Sequence, residues 1–206
     1  MLDQLNLFGG EGGPPQPVRP VKGRKAGEPR KRFKLFFAIP LDADVAAKIS
    51  KLGTWLDAQY GIHGNPLRPD RLHITLHVWG EYDERPDEAI AMAKRVGDLV
   101  RAAPFDVEFD RAMTFNTASN PYVLRVSPST DQPIRDFWLN LGMGIANVRP
   151  FREPSFTPHM TLSYKGNVTP EHPIEPIRWT VREFVLINSH VGKTYHEHVG
   201  RWSLRA

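Results

Sequence analysis

The chain has 206 residues, 40% hydrophobic and 10% aromatic, enough for one compact domain or two small lobes and too apolar for a disordered chain. No stretch reaches the roughly 18–20 apolar residues of a membrane span, and the opening MLDQLNLFGGEGG lacks the basic lead and apolar run of a signal peptide, so a cytoplasmic protein without membrane attachment is expected. Cysteine is absent, which excludes disulfides and thiolate chemistry, and the formal charge of +4 sits entirely in residues 1–32, where seven Lys/Arg face Asp3, Glu11 and Glu28.

Residues 9–32 are rich in Gly, Pro and charge and cannot bury enough apolar surface to fold, so 1–32 reads as a disordered basic tail and 33–206 as the folded domain. The tail either adds a non-specific phosphate-binding contribution or serves only solubility. FKLFFAIP opens the body as a buried strand that Pro40 ends. Asp42 or Asp44 then caps a helix to about Tyr60, with Val45, Ile49, Leu52 and Leu56 as its apolar stripe. A turn over 61–65 leads to a strand over 72–79. A second amphipathic helix is expected over 86–102, then strands over 105–113 and 121–127. A third helix over 131–147 carries Ile134, Phe137, Trp138, Leu141 and Ile145. Strands over 158–165, 178–187 and 195–204 close the chain, with the Pro-containing stretch 166–176 read as loop.

Strand, helix, strand occurs twice, and each half contains one copy of His-x-Thr-Leu, first as Leu72-His73-Ile74-Thr75-Leu76 and then as Pro158-His159-Met160-Thr161-Leu162. Alternation on a strand places His73 with Thr75, and His159 with Thr161, on one face, while Ile74, Leu76, Met160 and Leu162 point into apolar packing. One such tetrapeptide means little; a copy in each half predicts a shared site. Two facing imidazoles suit phosphodiester hydrolysis without a metal or other cofactor, one taking a proton from water and the other giving one to the leaving oxygen. An unperturbed pKa near 6.5 lets both protonation states coexist near neutrality. The threonine hydroxyls can donate to non-bridging phosphate oxygens as charge builds.

The paired motifs, together with LFFAIP, RLHITLHVWGE, FTPHMTL and the closing REFVLINSHVG with a final WSL, resemble the 2H phosphoesterases. The likeness is to the RNA 2′,3′-cyclic phosphodiesterases, also called 2′-5′ RNA ligases, and covers roughly 33–204. It implies an α+β bilobal fold, with two pseudo-symmetric antiparallel sheets flanking a central cleft and helices outside. It further implies hydrolysis of 2′,3′-cyclic phosphate at RNA ends to a 2′-phosphomonoester, with His159 as base and His73 as acid, and ligase activity in reverse. Where relatives often carry Arg after the second motif, this chain has Ser163, Tyr164 and Lys165. Alternation puts Lys165 on the face of His159 as a replacement cation, and His77 on the face of His73 where relatives often have Lys. Ser189 stands in a family-like position near the cleft, as a phosphate contact. Two other readings stand beside the enzyme: a module that binds RNA ends or nucleotides with little turnover, and a phosphodiesterase for a small-molecule cyclic phosphate.

His190, His196 and His198 lack a carboxylate partner or known ligand spacing and read as strand or surface histidines, with no metal site. Tyr164, Trp79 and Phe156 read as core packing rather than base-stacking residues. Arg125 and Arg149 are open between phosphate contact and surface cover. Gln4, Leu5, Leu7 and Phe8, within Gln-Leu-Asn-Leu-Phe, resemble the short peptide by which bacterial proteins dock on the DNA sliding clamp; otherwise the chain is expected to act as a monomer.

Overall fold

The computed structural model describes residues 31–152 and 155–205. The predicted tail, apart from Lys31 and Arg32, and the clamp-like peptide at Gln4–Phe8 lie outside the described residues. Nine strands, three α-helices and two short 3₁₀ turns follow in chain order among those residues. Phe33–Pro40 is β1, with five consecutive buried residues, Leu35 to Ile39, as expected of a strand covered on both faces. Ala43–Tyr60 is α1, burying Ala46, Ile49 and Leu56 and ending at Gly61, whose φ of 60° is the left-handed C-terminal cap that glycine favours. Asp42 stands at its N-cap without a side-chain cap bond, and Asp44 lies in its first turn. The short β2, Asn65–Pro66, precedes β3 at His73–Tyr82, and α2 spans Asp87–Leu99. β4 is Phe105–Thr114, β5 is Tyr122–Val126, and α3 is Asp131–Ala146 with all five predicted apolar positions buried. β6 is His159–Tyr164 and β9 is Tyr195–Ser203.

The stretch expected as a loop over 166–176 and a strand over 178–187 is instead two strands, β7 at His172–Val181 and β8 at Glu183–His190, separated by Arg182 alone. β7 contains Pro173 and Pro176, which cannot donate to a ladder, but it ends the sheet and pairs only with β4. Prolines are tolerated on such an edge.

The strands run in the order β7-β4-β5-β6-β3-β1-β8-β9, with β2 beside β6. Every pairing is antiparallel. The two expected sheets are the halves of this one. From the centre outward they read β3-β1-β8-β9 and β6-β5-β4-β7, and the two motif strands touch through a single register pair, Ile74 with Met160. One face carries the large core, including Ile74, Leu76, Met160, Leu162 and the buried sides of the helices. Beyond the other face lies a small separate cluster of Phe36, Ala38, Val185 and Ile187. No described helix is long and apolar enough to cross a membrane.

Candidate active site

The seam between the halves carries the two motifs. With Ile74 opposite Met160, antiparallel register directs His73 toward Thr161 and Thr75 toward His159. Each histidine is fixed in the same way. His73 Nδ1 lies 2.7 Å from the Arg71 carbonyl, and His159 Nδ1 lies 2.7 Å from the Thr157 carbonyl. A carbonyl only accepts, so both Nδ1 atoms carry the proton, and Nε2 is the basic nitrogen of each neutral ring. His73 Nε2 is 3.1 Å from Thr75 Oγ1, whose hydroxyl donates to it in that state.

A phenyl ring flanks each imidazole. Phe36 is 5.2 Å from His73, and Phe115 meets His159 edge-on at 4.9 Å. A guanidinium accompanies each as well. Arg125 stands opposite His159 in the β5–β6 register, with its Cζ 5.8 Å from the Phe115 ring centroid. Arg71 directs Nη2 at His196 Nε2, 3.1 Å away. The His196 ring lies 5.4 Å from His73 and 5.8 Å from Phe36.

This surrounding disfavours added positive charge. The His73 pKa is lowered to about 4, first by burial and then by the charges of Arg71, His159 and His198. His159 is pushed down by burial and by Arg125. His196 falls to about 3, through burial and then its neighbours His73 and Arg71. At neutral pH the cleft therefore holds neutral imidazoles beside two guanidinium ions, an arrangement suited to receiving an anion and a proton together.

His73, Thr75, His159 and Thr161 are thus brought to one seam. Ser189 faces the same way as Val185 and Ile187 and lies opposite His196 in register, toward the outer wall of the first half. Two expectations fail. His77 is not on the face of His73: it is 1% exposed, stacks on Trp138 at 4.7 Å and donates Nε2–H to the Trp138 carbonyl at 2.8 Å. Lys165 is exposed beyond the end of β6, at φ 62°, with its backbone N–H donating to Ser119. The cause is the same in both halves. Phe36 pairs with Val78 but Ala38 with Thr75, so β3 has one extra residue and both Leu76 and His77 turn to the core. Tyr122 pairs with Ser163 but Val123 with Thr161, so Leu162 and Ser163 both turn toward α1. The second bulge also leaves Tyr164, expected in the core, 39% exposed.

Trp79 is buried beside Phe37, and Phe156 stacks on Trp138 at 4.9 Å. Arg149 lies over Trp79 and donates to its carbonyl, while Arg125 belongs to the cleft. His190 is on the opposite face from His196, against Phe33 and Glu197. Among the described residues no three His, Asp or Glu side chains converge as metal ligands. Arg71 and His196 were missed as site residues. Arg71 ends the 3₁₀ turn that precedes β3, where strand alternation does not reach, and His196 is placed by cross-strand pairing.

Residues 42–193 match the family model of the 2′-5′ RNA ligase superfamily. The chain belongs to that superfamily. Its members are 2H phosphoesterases, so the coarse chemistry is making or breaking phosphoester bonds. Among solved structures, the 2′-5′ RNA ligase fold seen here is shared with LigT of E. coli in apo form, at 24% identity and a TM-score of 0.66, covering 86% of this chain and 100% of that one. LigT complexed with 3′-AMP matches at 25% identity and 0.64, covering 84% and 98%. TT0787 of Thermus thermophilus matches at 24% and 0.64, with the same coverage. No curated protein sequence matches the chain.

Proposed function

We propose that this superfamily member hydrolyses a 2′,3′-cyclic phosphate at an RNA end to a 2′-phosphomonoester, with His73 and His159 as its acid and base. The observation that carries the reading is the pair of imidazoles, each tied through Nδ1 to a carbonyl two residues upstream and each with a threonine two residues on. The complex of E. coli LigT with 3′-AMP supports a nucleotide ligand. Water attacks phosphorus as the base takes one of its protons, and the P–O3′ bond breaks with its electron pair on O3′. The acid then supplies the proton that O3′ needs. Thr75 and Thr161 donate to the non-bridging oxygens. By resemblance His159 is the base and His73 the acid. Since burial and neighbouring cations hold both rings neutral in the free protein, the acid gains its proton with the anionic substrate.

The test is hydrolysis, in EDTA, of an oligoribonucleotide ending in a 2′,3′-cyclic phosphate. His73→Ala and His159→Ala are each expected to lower kcat by roughly two to four orders of magnitude, and the product is expected to be the 2′-phosphate. A 3′-phosphate product, a strict metal requirement, or full activity in either variant would refute the proposal. Turnover confined to small cyclic phosphates would favour a small-molecule enzyme, and binding without turnover an RNA-end-binding module.

A further inference from the structure

Among the described residues Arg71 is a cation without an anion. Its Nε is buried and unpartnered, and its side chain reaches only the neutral ring of His196, 3.1 Å away. The adjacent carboxylate, Asp70, is held by Arg68 through two bonds of 3.0 and 2.8 Å. A guanidinium only donates, so His196 Nε2 accepts from it and His196 Nδ1 carries a proton. A guanidinium with a buried, unpartnered Nε gains from an anion within its reach.

The reacting phosphorus must lie where both imidazoles reach it, at the seam marked by Ile74 and Met160. Arg71 Nη2 reaches His196 on β9, the strand farthest from the seam in the order of the first half, with the His196 ring 5.4 Å from that of His73. Ser189, on β8, borders the same spot from across the β8–β9 register. The second half has a guanidinium of its own, Arg125, directly opposite His159.

We infer that Arg71 and His196, bordered by Ser189, form a second phosphate subsite that binds the backbone phosphate on the 5′ side of the terminal nucleoside. This makes an RNA strand, rather than a lone nucleoside cyclic phosphate, the preferred substrate class. The inference rests on the proposed function for its placement of the reacting end.

Two unreactive probes that differ only in the phosphate at issue test it. These are adenosine 3′-monophosphate and adenosine 3′,5′-bisphosphate, titrated into the full chain and into Arg71→Gln, Arg71→Lys and His196→Ala. The wild type is expected to bind the bisphosphate about ten- to a hundredfold more tightly, the usual worth of a charge-assisted contact. Its affinity should also fall more steeply with added salt, which screens the additional charge pair. Arg71→Gln should bring both preference and slope difference close to nothing, His196→Ala should reduce them, and Arg71→Lys should restore part of each. Equal weakening of both probes in Arg71→Gln would overturn the inference by placing Arg71 on the terminal phosphate. So would a wild type without preference. Because the readout is binding, a protein that keeps the Arg71-dependent preference yet hydrolyses no cyclic phosphate would refute the proposed function and leave the subsite standing.

Discussion

Anion binding in this cleft should draw in a proton, and His73 sets the size of the effect. Its pKa of about 4 in the free protein means that charging it at pH 7 costs roughly 4 kcal/mol. A singly charged tetrahedral anion about 4 Å from the ring, at the effective dielectric that describes partly buried sites, returns about 4 kcal/mol. The two nearly cancel, so the bound-state pKa should rise to about 7. Between about pH 4 and 7 the complex then holds a proton that the free protein lacks, and affinity should fall about tenfold for each pH unit gained. Sulfate does not titrate in this range, and its second negative charge raises the bound-state pKa further in the same direction, so it is the cleanest probe. Calorimetry at pH 5.5, in two buffers of different ionisation enthalpy, counts the protons taken up. His73→Gln should take up about one proton fewer per sulfate than the wild type and lose most of the pH dependence. Identical uptake in the two proteins would show that His73 is not the linked group, and no uptake in either would refute the account of a cleft that gains anion and proton together.

Stability should fall on acidification, because the depressed histidines bind protons more readily when unfolded. For His73 the contribution is complete above pH 6.5, is lost as pH falls through that value toward about 4, and amounts to roughly 3 kcal/mol, read from urea midpoints at pH 7 and pH 4. A midpoint that does not move would contradict the burial described for this ring. His77→Leu fits the same space but removes one bond to the Trp138 carbonyl, which keeps its partner within α3, so a loss of about 1 kcal/mol in urea unfolding is expected, with cleft binding of sulfate retained; loss of sulfate binding in a folded variant would return His77 to the site. The likeness of Gln4–Phe8 to a clamp-docking peptide predicts retention on immobilised bacterial sliding clamp, abolished by Leu7→Ala with Phe8→Ala. Equal retention of the double variant would count against it.

Much of this fold was legible because its signals are local. Burial of Leu35 to Ile39 follows from an unbroken apolar run, and the α1 and α3 stripes follow from 3.6-residue spacing. The β7–β8 pair was not legible. Pro173 and Pro176 argue against a strand unless it is known to be an edge, and edge position depends on the whole topology. His73, Thr75, His159 and Thr161 were found through repetition of a pattern, which needs no tertiary knowledge. His196 comes beside His73 only because β9 returns along β8, a pairing that nothing near His196 announces.

The failure of strict alternation is itself informative, because it occurs at the same step in both halves. Each motif runs His, apolar, Thr, Leu with its faces in order, and each strand then takes an extra residue that turns the fourth position after the histidine inward, His77 in one half and Ser163 in the other. A chance irregularity would have no reason to recur at matching positions of strands that differ in sequence around it. A bulge bends and twists its strand, and bends beyond the threonines would separate the two motif strands after their one shared pair, Ile74 with Met160. The opening between the halves and the inward turn of His77 are then one event. His77 is held by reciprocal bonds, its own to the Trp138 carbonyl and the Trp138 indole N–H to the Leu76 carbonyl, so α3 grips β3 at the bulge. That grip keeps His73 and Thr75 at the seam, while their second-half counterparts are held by β5 through Arg125 and Val123.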